Sequence, residues 1–202
     1  MSRFKYPALL FAVVLGLAGL GTVRAEEAHP ASEIVIDVDC QQLKVVKQGQ
    51  EVAKFPVSTS KFGVGDDWHS YKTPAGQLQV CEKIGAQLPE GAVMKHGQFT
   101  GEVVPPNAPG RDTIVTRMIR LQGLEAQNKR ALARGIFIHG TPEEKRIGKP
   151  VSWGCIRMRS KDVVALYKQV EVGTLVVICN TGHQNGKTLP EQIEHWVASL
   201  WS

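Results

Sequence analysis

The sequence predicts a mainly β domain, and three observations carry that expectation. Ile34, Ile36 and Val38 alternate with Val35, Asp37 and Asp39 at a period of two. Short β-branched runs recur along the chain, and Gly and Pro punctuate the stretches between them. A chain of 202 residues, 43% hydrophobic and 21% charged, has the composition of a compact globular unit and not of a disordered, collagen-like or coiled-coil chain.

The first 25 residues stand apart. Arg3 and Lys5 precede an uncharged apolar run from Ala8 to Leu20, and Val23-Arg24-Ala25 offers a small-x-small cleavage pattern. This is the composition of a secretory signal peptide, too short in its apolar part for a span of about 20 residues. The expectation is export to the periplasm or cell envelope, with cleavage after Ala25. The formal charge of +5 falls to +2 once Arg3, Lys5 and Arg24 are removed, so charge gives no reason to invoke nucleic acid.

From Glu33 the elements follow in order. A first strand covers the alternating run, and Leu43–Val46 and Val52–Phe55 flank a hairpin around Gly49. Further strands are expected at Gln77–Cys81, Ile114–Leu121, Gly135–His139 and Thr174–Cys179. Residues 85–112, rich in Gly and Pro, read as a long loop, either a wall or lid over a cleft or a disordered excursion. Ser160 is placed to cap a helix to about Val170, with Val163, Tyr167 and Val170 on one face. A weaker helix is expected over Glu125–Arg134. In a tail from 180 to 202, Thr188-Leu189-Pro190-Glu191 resembles a capping box before an apolar stripe of Ile193, Trp196, Val197, Leu200 and Trp201. That stripe suits packing on its own domain better than docking a partner or a membrane surface.

Four cysteines occur. Cys40, Cys81 and Cys179 end apolar strand-like runs and read as small buried hydrophobes. Cys155 instead lies in a turn, Ser152-Trp153-Gly154-Cys155-Ile156-Arg157, where an exposed thiolate beside a cation would be a nucleophile. His139, ending the run Ile136-Phe137-Ile138, is the candidate base, and no acidic residue suggests itself to orient its ring. Gly154 would let substrate approach the backbone, and the Gly154 and Cys155 N–H groups could receive an oxyanion. Arg157 could hold the thiolate or grip a substrate carboxylate. His69, His96, His183 and His195 read as surface residues. Asp66-Asp67-Trp68-His69 lacks the companions of a metal site, and no cofactor-binding fingerprint is present.

Ile138-His139-Gly140-Thr141 followed by Ser152-Trp153-Gly154-Cys155-Ile156-Arg157-Met158 strongly resembles the catalytic signature of the L,D-transpeptidases, the YkuD or ErfK/YbiS family. Tyr71-Lys72-Thr73-Pro74-Ala75-Gly76 resembles that family's Thr-Pro-x-Gly element. The resemblance implies a sandwich-like, mainly β catalytic domain over about residues 33–179, acting on peptidoglycan stem peptides without a cofactor or metal. It implies Cys155 as nucleophile, His139 as general base and acid, the Gly154 and Cys155 backbone as oxyanion site, and Arg157, Ser152, Trp153 and Gly140 around the substrate. The acceptor would be an amine of a second stem peptide, giving a 3→3 cross-link, or of a wall-linked protein. A hydrolase of the same family and a non-catalytic wall-binding module are the alternatives. One position departs from the pattern: many members carry His where this chain has Trp153.

Overall fold

The structure, a computed structural model, describes residues 32–180. The signal-peptide and C-terminal-helix expectations, with His183 and His195, lie outside these residues. Ten strands form one sheet assembly: β1 (Glu33–Asp37), β2 (Gln42–Lys47), β3 (Gln50–Pro56), β4 (Gly76–Ile84), β5 (Ala92–Lys95), β6 (Gln98–Val103), β7 (Ile114–Gly123), β8 (Phe137–Gly140), β9 (Ile156–Met158) and β10 (Leu175–Cys179). Among the described residues the single α-helix is α1 (Ser160–Tyr167), and Glu144–Arg146 forms a short 3-10 turn.

The strands lie in the order β3-β2-β1-β10-β4-β7-β5-β6, and β8 branches from β7 to pair with β9. The β2–β3 hairpin turns at Gln48 and Gly49, both at positive φ, as the expected hairpin around Gly49 requires. Most pairs are antiparallel. The exceptions are β1 with β10, joining Glu33 to Leu175 and Asp37 to Cys179, and β8 with β9. The buried faces of β1, β2, β4, β7, β8, β9 and β10 send Ile34, Leu43, Leu78, Ile119, Ile138, Ile156 and Ile178 into one core, closed by Val163 and Leu166 of α1. β-branched residues suit this pleated, fully covered surface.

Several expectations are corrected. Residues 85–112 are not structureless: they contain β5 and β6, which turn at His96 and Gly97, again at positive φ. All six residues of β6 are exposed, so no inward alternation marks it in the sequence. Glu125–Arg134 is a run of turns, because Asn128 takes the Glu125 N–H on its Oδ1 and donates its Nδ2 to the Ala75 and Gln77 carbonyls. This ties the segment to the start of β4 and leaves no regular helical ladder. Helix α1 ends three residues before Val170, and Ser160 does not cap it. The Ser160 N–H is instead taken by Glu144 Oε1 at 2.8 Å, and its hydroxyl lies 2.8 Å from Thr116 Oγ1.

Cys40 is also corrected. It is exposed in the turn after β1, its N–H bonded to Asp37 Oδ1, while Cys81 and Cys179 are partly buried. All four cysteines are free thiols.

Candidate active site

Parallel pairing of β8 with β9 sets His139 opposite Arg157 and Ile138 opposite Ile156. Side chains alternate across a strand, so Ile138 and Ile156 enter the core while His139 and Arg157 share the other face. Cys155 precedes Ile156 directly, and the Phe137 backbone N–H approaches its sulfur. Thus one local pairing sets Cys155, at the entry to β9, on the strand that runs beside that of His139.

The turn carrying Cys155 is held by the strand-like segment 57–61 and by the Thr73 motif. The Ser152 N–H donates to Thr59 O at 2.9 Å and the Lys61 N–H to Ser152 O at 3.2 Å. Thr73 Oγ1, fully buried, donates to Gly154 O at 2.9 Å and accepts from the Ser60 N–H at 3.0 Å. Gly154 sits at φ +122, and a Cβ there would lie 3.2 Å from Lys72 O, so only glycine fits without strain.

Ser152 orders the loop: its hydroxyl donates to Cys155 O at 2.6 Å. The same oxygen accepts the Gly154 N–H at 3.2 Å. In this arrangement Gly154 N–H is therefore not presented to an oxyanion, a correction to the expected pair of donors.

His139 is buried, and its Nδ1 lies 2.8 Å from Gly140 O. A carbonyl only accepts, so Nδ1 bears the proton and Nε2 is left as the basic nitrogen. The orienting group that the sequence did not reveal is thus a backbone carbonyl one residue away. Burial lowers the His139 pKa to about 4, with Arg157 adding to the fall and the Gly140 carbonyl and Asp112 opposing it. Gly140 has no side chain because a Cβ would lie 2.6 Å from Val115 O on β7.

Cys155 differs from expectation. It is half-buried, and burial pushes its thiol above the ordinary value, against the lowering effects of the Phe137 N–H, Arg157 and Arg134. Its Sγ donates to Gly135 O at 3.4 Å. The resting pair is a neutral thiol and a neutral imidazole, not an exposed thiolate.

Arg157 is corrected as well. Its side chain is only 7% exposed, and its guanidinium already holds Asp112 Oδ2 at 3.0 Å and Glu143 Oε2 at 3.1 Å. Gripping a substrate carboxylate would require displacing both. Asp112 and Glu143 were missed in the sequence because nothing in their local pattern marks them.

A second missed pair is Asp66 with Arg134, 2.7 Å apart with side chains 2% and 7% exposed. Arg134 Nη2 donates to Lys72 O, while Asp66 Oδ2 accepts the Arg130 N–H. Asp66 is therefore a structural anchor for the loop beside Gly154, and His69 is exposed.

A cavity of about 650 Å³ lies beside the site, between Glu82, Ile84, Met118 and Arg120 of β4 and β7 and Met94, His96 and Gln98 of the β5–β6 hairpin. It reaches Gly135 and Phe137, whose backbones touch the Cys155 sulfur. The segment 85–112 thus walls a cleft, as one of its two readings held.

Comparison with known proteins agrees with this architecture. A family model described as the L,D-transpeptidase catalytic domain (YkuD) matches residues 31–178. The chain is 54% identical over 41 residues to "Putative L,D-transpeptidase YqjB" of Bacillus subtilis (strain 168), covering 20% of this chain and 23% of that protein. It is 48% identical over 48 residues to "Probable L,D-transpeptidase YcfS" of Escherichia coli (strain K12), covering 23% and 15%. The matched stretches thus take in a quarter or less of these relatives' lengths. An L,D-transpeptidase structure from Mycobacterium smegmatis superposes with TM-score 0.50 at 19% identity, covering 74% of this chain and 59% of that one, a likeness of fold.

Proposed function

Because the chain belongs to the L,D-transpeptidase catalytic-domain family, we propose that it is a cysteine acyltransferase acting on peptidoglycan stem peptides. The observation that carries the reading is the hydrogen bond from His139 Nδ1 to Gly140 O, which supports Nε2 as the base on the strand face shared with the cysteine turn.

In this reading His139 Nε2 takes the thiol proton of Cys155 as the sulfur attacks the carbonyl that follows an L-centre of the stem peptide. The Cys155 N–H receives the developing oxyanion, and burial strengthens that bond. His139, now protonated, gives its proton to the departing amine of the terminal D-alanine, leaving a thioester on Cys155. An amine from a second stem peptide or a wall-linked protein then attacks the thioester. His139 accepts the amine proton and returns it to the released thiolate. Arg157 acts through position: its pairs with Asp112 and Glu143 fix the loop at 112 and the turn at 143 around the histidine. Substrate in the cell envelope agrees with the export expected from residues 1–25.

Intact-mass spectrometry with tetrapeptide stem muropeptides tests this. The expected result is an acyl adduct on wild type that is absent from Cys155→Ala, with D-alanine release and 3→3 dimers. Tripeptide monomers alone would reassign the enzyme to hydrolysis, and an unreactive, folded, free-thiol protein would overturn the enzymatic reading.

A further inference from the structure

The turn that carries Cys155 also carries an exposed indole, Trp153, which belongs to a cluster outside the chemistry above. Trp153, Tyr71 and Phe62 are 52%, 48% and 42% exposed, a costly display of large rings for three neighbours. Tyr71 stands edge-on to Trp153 with centroids 5.2 Å apart, and Phe62 lies 5.4 Å from Trp153 at a tilt of 58°. Tyr71 is held at φ +56, a conformation rare for an aromatic residue, with its carbonyl bonded by Ser60 Oγ at 2.6 Å. The loop thus sustains local strain to keep Tyr71 braced against the indole.

The corner between two of these rings already holds a cation. Lys61 Nζ lies 4.0 Å from the Trp153 centroid and 5.1 Å from that of Phe62. An ammonium over an indole face is attracted by the ring quadrupole. The corner adjoins the cysteine turn: Lys72 O and Tyr71 O back onto Gly154, the residue between Trp153 and Cys155.

We propose that the Trp153–Phe62 corner is a binding subsite for an aliphatic ammonium group, with Lys61 as its internal occupant, and that it receives the amine-bearing side chain of the acyl acceptor. The acceptor assignment rests on the transpeptidase reading; the ammonium site does not. Aliphatic amines are protonated near neutral pH, so an amine acceptor is captured as the cation this corner attracts; on leaving the ring face it gives one proton to solvent and attacks the thioester as the free amine, whose second proton His139 takes. Lys61 has an exposed, flexible stem and can yield its place. Its ammonium then competes with the incoming one.

The test uses full-length Cys155→Ala protein labelled with fluorotryptophan and read by fluorine NMR. The Trp153 signal is assigned by its loss in Trp153→Phe. The probes are choline and its neutral isostere with carbon in place of nitrogen. Choline should shift the Trp153 signal saturably and the isostere should not. Lys61→Met should tighten choline binding about two- to fivefold, and Phe62→Leu should weaken it by a similar factor. No shift, an equal shift with the isostere, or no change in Lys61→Met would overturn the ammonium site.

The acceptor role is read separately, on protein with Cys155 intact. At subsaturating amine, Lys61→Met should send more acyl-enzyme to aminolysis and less to hydrolysis than wild type. An unchanged partition with choline still bound would overturn the acceptor role alone. An acyl-enzyme that forms normally while choline ignores Trp153 would overturn the subsite and leave the transpeptidase reading standing.

Discussion

Thr73 Oγ1 donates a hydrogen bond to the carbonyl of Gly154 across 81 residues of sequence. A buried hydroxyl thereby fixes the peptide that precedes the reactive cysteine. It also explains the Thr in the Thr-Pro-x-Gly element: the same oxygen accepts the Ser60 N–H, so two loops are joined through one atom.

Thr73→Val removes both bonds at nearly constant volume and leaves a buried carbonyl and a buried N–H unpaired. A loss of about 1–3 kcal/mol per orphaned group is expected in urea unfolding, with slower acylation of Cys155. Thr73→Ser should recover most of both. Stability and acylation equal to wild type in the valine variant would remove Thr73 from this role.

His139 predicts an acid-side stability loss. Its folded pKa of about 4 lies below its ordinary 6.5, so between these values the unfolded chain binds the proton that the folded chain refuses. Stability is therefore full above pH 6.5 and falls as the pH drops towards 4, by about 3 kcal/mol across the window. Denaturant titrations of wild type and His139→Gln between pH 7 and pH 4 check this, since the variant should lose that part of the slope.

Cys155 should be slow to alkylate at neutral pH. Burial raises its thiol above 9.0, so the iodoacetamide rate at this residue should still be climbing beyond that pH. Peptide mapping separates it from the exposed Cys40. A midpoint below neutrality would mean that the resting state is a thiolate–imidazolium pair.

Asp66→Asn should be among the most destabilising single changes in the loops. It strips the partner from a buried guanidinium, for which a cost of about 3–5 kcal/mol is typical. Lys72 and Gly154 lie beyond that guanidinium, so acylation should slow as well. An unfolding midpoint within error of wild type would show that Arg134 finds other partners.

What the sequence made legible follows from how local each feature is. Strands such as β1 and β7 announce themselves because burial writes alternation or β-branched runs into adjacent residues. Gly154 and Gly140, beside Cys155 and His139, were legible as special positions because backbone contacts there tolerate no side chain. β6 left no trace, since a strand exposed along its length has no apolar face, and β9 is only three residues long. The fate of Arg157 could not be read at all. Its partners, Asp112 and Glu143, lie 45 and 14 residues away, and each looks like an ordinary surface acid. Asn128 overrode a plausible helix because its amide serves carbonyls more than 50 residues upstream.

The pairing of β1 with β10 has a consequence for biosynthesis. Residues 33–37 are made early, yet the strand that flanks them in the parallel ladder is residues 175–179, near the far end of the domain. Until those emerge, β1 can pair with β2 on one side, but its other edge is open and Ile34 and Ile36 lack their full cover. Closing so long a loop is slow, and an unpaired apolar strand edge invites pairing with other chains. The nascent chain therefore keeps an aggregation-prone strand edge until residues 175–179 are delivered.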